Sequence, residues 1–592
     1  MRTLASIILV LLLSFSAAPP LFAGELKTFS REITGQPEEY TIEVGGKLDP
    51  HNVELAIENL GDSPVKDPRL TVNGLYDWFD IHTMAAEITR GCTTDEEKAL
   101  AIWEWILWKR YQLSPFDLSA AHPVRGMNGF GYGICGHSAY MLKALCLAAG
   151  VQARVQEIWG HTVNEAFWDG KWHFLDSNVK VYYLGRDNRI LASLAELEKD
   201  PWLIQRTIHP RDPWLKPIDP PGRNEEFVRY IVSALDNYVD TSSDSTIFTN
   251  YSMAWNLQPG MKLLRWWEPR LAKFEGSDKR AIVPSRYANG QIIWEPDLNK
   301  LDMKDYIEVV DNVTTKWSKG GKGPAIQVDY LQDDQNSRPS RVKLPLDSPW
   351  PAVGGRFSCT MVKDPGCAVS VFYGEPEWSD GNLYTYRWGS GRETDTFDLD
   401  HFIRDSQPAY HYDIGFMLNG RGKGSVPRTA GVDWFRSETD LQISPHAIPA
   451  LKLGRNVIRY WDASPGQRQV RITFTWREVD DNHAPSRVSE AVSPKEAKSL
   501  TPVLEWKAVA DPDPGDSVAD YQVMLSLRPD CRWPLSNTVY RNLGSGETRW
   551  QVPATFLNPG TTYYWKVRSR DSRGAISDWG EIFSFTTSAK AK

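Results

Sequence analysis

Few features limit a chain's folding as tightly as a two-residue turn between alternating runs, and this sequence carries one at Asp169-Gly170. Asp-Gly selects the tight turn whose twist matches that of paired strands, so 161–168 and 171–178 are predicted to form an antiparallel hairpin. Residues 151–159 are also strand-like and extend the unit to a small sheet. The turn sets the register: Trp168 faces Lys171, and counting outward from there places Asp176 opposite Val163. His161 is then the diagonal neighbour of Asp176 on the same face, about 7–8 Å away at the backbone and within reach of an imidazole–carboxylate contact. That face also carries Val163, Phe167, Trp172 and Phe174, and is expected to pack inward. The opposite face, with Thr162, Asn164, Ala166, Lys171 and His173, is expected to look outward.

The preceding stretch supplies what the inner face is expected to pack against. Ala139, Leu142, Leu145, Cys146 and Ala149 recur at spacings of three and four, the pattern of one buried helical face. Gly150 ends the run where a C-terminal glycine is expected. Glycines at 131, 133 and 136 let the backbone turn sharply before the helix. Cys135 therefore falls in the first turn, where unpaired amides and the helix dipole favour a thiolate and can hold an oxyanion. A cysteine before an apolar helix is most often a core residue, and a buried histidine–carboxylate pair is often structural. All three in order within 135–176 point instead to nucleophile, base and orienting carboxylate. His137, two positions further along the helix, points about 200° away and is not the base.

Four motifs carry a resemblance: Gly133-Ile-Cys135, Gly150-Val-Gln-Ala-Arg154, His161-Thr-Val-Asn-Glu165 and Trp172-His-Phe-Leu-Asp176. In this order the segment resembles the transglutaminase-like superfamily, whose pattern is Gly-x-Cys, a helix, Gly-Ile-Pro-Ala-Arg, His-x-Trp-x-Glu and Trp-x-x-x-Asp. The resemblance implies an α+β, papain-like core over 76–190 with Cys135, His161 and Asp176 as the triad of a thiol mechanism. Gln152 replaces the proline and Val163 replaces the tryptophan between His and Glu, which changes the pocket floor.

At 592 residues the chain is expected to be multidomain. Met1-Arg2, an apolar run over 7–13 and small residues up to Ala23 read as a secretory signal peptide, cut near Ala23–Gly24. That run is too short to cross a membrane, so a secreted or periplasmic protein with no membrane span is expected. A net charge of −8 without a basic block argues against nucleic acid as a partner. Cys135 and Cys146, eleven residues apart on one helix and about 16 Å along its axis, cannot bridge. Cys359 and Cys367 flank an Asp-Pro-Gly turn and are the best-placed pair for a disulfide.

Around the core, 24–75 reads as a β-rich segment and 76–89 as a helix. Thr94-Asp-Glu-Glu97 is a capping box before the apolar stripe Ala99, Ile102, Trp103 and Ile106. Residues 191–321 read as an irregular extension with one helix over 227–238, closed by a Gly/Lys-rich linker over 318–324. Alternating strands over 325–482 suggest a β-sandwich or jelly roll. The last segment, 483–592, resembles a fibronectin type III domain, with Leu557-Asn-Pro-Gly-Thr-Thr-Tyr563 as its turn into the tyrosine corner. Such domains space or attach, so this one is expected to be dispensable for chemistry. Asp398-Leu-Asp400-His401 and the acidic run 511–516 read as turns, and no metal or cofactor is expected.

These features predict a secreted cysteine enzyme acting on amide bonds through a thioester, with hydrolysis (peptidase or amidase) favoured over protein crosslinking. Its substrate would be an extracellular protein, peptide or glycoconjugate, and the β modules could attach it to carbohydrate or a cell surface. The rival expectation is a non-catalytic polymer- or carbohydrate-binding protein.

Overall fold

The computed structural model describes residues 24–35, 37–112, 118–158, 160–205, 251–274, 286–311, 313–314, 326–328, 340–374, 382–384, 389–405, 409–419, 430–493, 495–535, 541–542 and 547–591. The expected signal peptide, the helix over 227–238 and the linker over 318–324 lie outside these residues.

Among the described residues of 76–190, three helices of eight residues or more are set against a three-stranded antiparallel sheet. Helix α1 (Ile81–Ile88) is capped by Asp80, whose carboxylate accepts the amides of His82 and Thr83. Helix α2 (Asp95–Lys109) begins at the predicted box: Thr94 Oγ1 accepts Glu97 N, while Glu97 accepts the amides of Thr93 and Thr94. Its stripe Ala99, Ile102, Trp103 and Ile106 is buried as the spacing requires. Helix α3 (Cys135–Ala148) buries Ala139, Leu142, Leu145 and Cys146.

The sheet runs Lys171–Leu175, His161–Trp168, Ala153–Ile158. Asp169 and Gly170 both take positive φ, 48° and 77°, as the predicted turn demands. Trp168 pairs with Lys171, and the ladder continues in that register to Leu175 opposite Asn164. The inward and outward faces differ from expectation. Helix α3 lies on the face of Asn164 and Ala166, where Asn164 Nδ2 donates to Ala139 O at 2.7 Å. Val163 and Phe174 instead join Tyr183, Leu194 and Leu197 in a second core. The reason is the chain after Asp176. It folds back through helix α4 (Leu194–Lys199), covers the other face, and leaves the sheet buried on both sides. His173, expected outside, is accordingly buried, stacked on Trp168 at 3.7 Å and bonded to Leu191 O and Trp168 O.

Among the described residues, strands from three sequence segments share one 13-stranded sheet. Leu26–Thr34 pairs with Gln469–Val479, which pairs with Leu48–Asn59; Met261–Trp266 and Gly290–Trp294 continue the sheet to Ala430–Leu441. The N-terminal segment and part of the extension are thus hydrogen-bonded into the middle β-domain. Cys359 and Cys367 are free, buried thiols, contrary to the expected disulfide. Both lie in the strand Ser340–Tyr373, facing Asp395 and Gly389 of one neighbouring strand. Positions that far apart on a strand stand roughly 20 Å from each other, well beyond disulfide reach.

Among its described residues, the C-terminal domain is a β-sandwich of a five-stranded and a two-stranded sheet around Trp506, Tyr521, Trp565 and Phe585. Tyr563 Oη accepts Asn558 N at 2.8 Å, closing the predicted corner. In the acidic run, Asp513 is bonded to His483 and Arg573 and Asp516 to Ser517 N and Arg573, and the carboxylates of Asp511, Asp513 and Asp516 lie within 4.8 Å of one another. Among the described residues, no helix is long and apolar enough to cross a membrane.

Candidate active site

Three pieces of backbone converge at the amino end of helix α3. The chain enters it through 126–134, where Gly131 has φ 67° and a Cβ would run into Ser444 of the β-domain. Ser444 N donates to Asn128 O at 2.7 Å and Gln442 Nε2 to Tyr132 Oη at 2.8 Å, so the β-domain holds this entry loop in place. Ile134 caps the helix without a side-chain bond, which leaves the first-turn amides for other acceptors.

Cys135, the first helical residue, is only partly exposed. Burial works to raise its thiol pKa. A hydrogen bond from His161, the amide of Thr162, the positive imidazolium and the amide of Gly136 outweigh it and bring the pKa down to about 7. His161, the first residue of its strand, presents Nε2 to Asp176 Oδ2 at 2.7 Å. Burial works against its protonation, but the charge and hydrogen bond of Asp176, with those of Cys135, prevail and raise it to about 10. At neutral pH thiolate and imidazolium therefore coexist as a coupled pair.

Asp176 does not continue the ladder as register alone implies. It leaves the strand, and its Oδ1 accepts the amides of Asn178 and Val179 at 2.8 and 2.9 Å, an Asx turn that starts the loop. The other oxygen, Oδ2, is thereby aimed at His161. The three residues singled out by sequence meet here. His137 packs against Gly133, where an added Cβ would stand 2.8 Å from its own.

Two residues of this site escape sequence reasoning. Arg110, just past helix α2, is buried and donates to Gly133 O, to Ser177 O at 3.2 Å and to Asn178 O at 3.5 Å. It joins the loop before Cys135 to the loop after Asp176. Burial lowers its pKa to about 10, opposed by the charges of Asp176 and Cys135, so it stays cationic at neutral pH and supports both anions. Trp103 Nε1 donates to Asp176 O at 3.2 Å, which fixes the carboxylate's backbone. In sequence Arg110 is one polar residue after a helix and Trp103 one member of an apolar stripe; neither carries a distinguishing signal.

Residues 82–177 match the family model of the Transglutaminase-like superfamily. The matched range spans Cys135, His161 and Asp176, together with Arg110 and Trp103. A second match, over 485–590, is to the Rha78A-like, N-terminal immunoglobulin domain, so the C-terminal sandwich is immunoglobulin-like. No curated protein matches the chain. Among solved structures, the spore cortex lytic enzyme SleM of Clostridium perfringens shares 16% identity over 19% of this chain and 33% of its own, with a TM-score of 0.14. The glycoside hydrolase domain of Endo-D from Streptococcus pneumoniae shares 11% over 51% and 35%, with a TM-score of 0.13. A β-1,2-glucanase from Parabacteroides distasonis shares 12% over 48% and 36%, with a TM-score of 0.12. The chain spans about a third of each of these proteins, and at such scores none of them bears on fold or activity.

Proposed function

We propose that this protein is an exported transglutaminase-like cysteine enzyme that cleaves amide bonds through a thioester, acting as a peptidase or amidase. The observation that carries the reading is the shared imidazole. His161 bonds Asp176 through Nε2 at 2.7 Å while also bonding the Cys135 thiol at a helix N-terminus. In the reaction, Cys135 Sγ attacks the amide carbonyl carbon, and first-turn amides receive the oxyanion charge. The C–N bond breaks as His161 gives its proton to the departing amine. Water then attacks the thioester while His161 takes up one of its protons. The acid leaves, the sulfur departs as thiolate, and His161 is again protonated. Arg110 keeps the thiolate and the carboxylate loops at one spacing throughout.

Export rests on the apolar run and the small residues up to Ala23. The finer type of the C-terminal domain is read as fibronectin III, supported by the Tyr563–Asn558 corner. The test of the activity is a peptide library incubated with a labelled primary amine. Hydrolysis releases new termini without label, whereas amine transfer incorporates it and would move the protein to the crosslinking class. Neither outcome, together with a Cys135 that reacts with iodoacetamide as an ordinary thiol, would leave a binding protein.

A further inference from the structure

The C-terminal domain does more than hang from the end of the chain. Trp533, only 1% exposed, stands among three aromatic rings of the transglutaminase-like region. It is parallel to Trp168 at 6.0 Å, edge-on to Tyr182 at 5.1 Å and tilted against Trp103 at 6.3 Å. Its indole Nε1 donates to Glu96 Oε1 at 2.8 Å, in the first turn of helix α2. Arg528 pairs with Glu96, and Arg532 with Glu97 at 2.9 Å, so the same turn is gripped by two arginines of the domain.

The grip lies close to the triad. Trp103, which touches Trp533, is the residue that donates to Asp176 O. Tyr182 follows Val181, the bridge partner of Asp176, and its hydroxyl donates to Pro534 O at 2.6 Å. Further along the same loop, Asn188 Nδ2 donates to Phe556 O at 2.5 Å and Asn558 Nδ2 to Arg186 O at 3.3 Å. The loop that carries the carboxylate is therefore pressed between the core and the C-terminal domain. Helix α2 acts as a beam: its first turn is held by that domain, its middle bears on Asp176, and Arg110 beyond its end holds Gly133 and the 177–178 carbonyls.

We infer that Trp533 is a positioning residue for the thiol chemistry, and that the C-terminal immunoglobulin-like domain is a working part of the active site, not a dispensable attachment. The inference rests on the proposed function, because it concerns the alignment of the same triad. Without the indole, the Trp103 and Tyr182 rings lose the body they close on. The carboxylate loop then gains freedom at the atom His161 must meet. Misalignment of a catalytic group by about 1 Å costs up to roughly 100-fold in rate, and here the misaligned group is the one that keeps the imidazole protonated.

The test uses the full chain with Trp533→Ala, Trp533→Phe and Glu96→Gln, reading the iodoacetamide rate at Cys135 from pH 5 to 11 with the modified residue mapped. Trp533→Ala is expected to cut the neutral-pH rate by roughly 10-fold or more and to raise the pH midpoint at which Cys135 becomes reactive. Trp533→Phe, which keeps an aromatic plate, should recover most of it. Glu96→Gln keeps the aromatic cluster but weakens the arginine grip, so it should shift the profile in the same direction by less. It also stands in if Trp533→Ala does not fold. Wild-type profiles in all folded variants would overturn the inference and make the domain an attachment. A wild-type protein whose Cys135 already reacts as an ordinary thiol would instead overturn the proposed function, before any variant is made.

Discussion

Replacing Asp176 by Asn removes the charge and sets an NH2 donor where Oδ2 accepts from His161 Nε2. The isostere keeps Oδ1 as acceptor for the amides of Asn178 and Val179, so the turn that aims the side chain survives. What is lost is the anion that, with Cys135, lifts His161 from 6.5 to about 10 against the cost of burial. An opposite charge at hydrogen-bond distance accounts for about 1–3 pKa units, or ~1.4–4 kcal/mol. The upper limb of the amide-cleavage profile, which reports the imidazolium proton given to the departing amine, should therefore fall from about 10 to between ~7 and ~9. The lower limb, set by a thiol at about 7, should rise, because part of what holds that thiol down is the imidazolium. A broad plateau becomes a narrow, lower bell. The assay pairs kcat/KM for a cleaved peptide amide from pH 5 to 11, which reads both limbs, with the pseudo-first-order iodoacetamide rate at mapped Cys135, which reads thiolate formation alone. Stability gives an independent check with a definite sign. His161 has a raised folded pKa, so its contribution is full below the unfolded value of ~6.5 and is lost as pH rises through about 10. Asp176→Asn should thus lower the unfolding temperature most near pH 6 and least above pH 10. An unchanged upper limb, in a variant that folds normally, would refute the charge argument.

Four further outcomes follow from the same geometry. Arg110→Met should raise the thiol's titration midpoint and slow alkylation at pH 7 by about 10-fold, since the buried cation near Cys135 and Asp176 is gone; an unchanged midpoint would assign Arg110 to packing alone. His137→Ala should leave the alkylation midpoint in place, and a loss as deep as that of His161→Ala would contradict its place against Gly133. Cys146, buried and held up to about 12, should stay unmodified in mapped digests at pH 8. Thr94→Ala should cost about 1 kcal/mol of denaturant stability by removing the cap of helix α2.

The predicted register survives as far as Leu175 because it depends only on the turn and on the period of two along a strand. Which face looks inward did not follow from that register. Alternation reports a contrast between two sides, and here both are covered, one by helix α3 and the other by the chain through helix α4. His173 shows the cost of the shortcut. Its polarity read as exposure, yet its ring is satisfied by Leu191 O, Trp168 O and a stacked indole. The expected Cys359–Cys367 bridge failed for a similar reason, since the Asp-Pro-Gly stretch forms a bulge within one extended strand and does not reverse the chain.

Local sequence determined what local physics controls: the capping box of helix α2, the Asp169-Gly170 turn, and a cysteine at the start of a helix with a histidine and an aspartate in order beyond it. Each of those depends on residues a few positions apart, so the sequence pattern and the backbone geometry are nearly the same statement. Only the tertiary structure decided what surrounds them: the buried Arg110 between two loops, the β-domain's hold on the loop before Cys135, and Trp533 set against Trp103 and Tyr182 from several hundred residues away. Those contacts carry no periodicity and no spacing rule. They arise when surfaces made by distant segments are buried against one another, and a single arginine or tryptophan acquires its role only from the neighbours that burial selects.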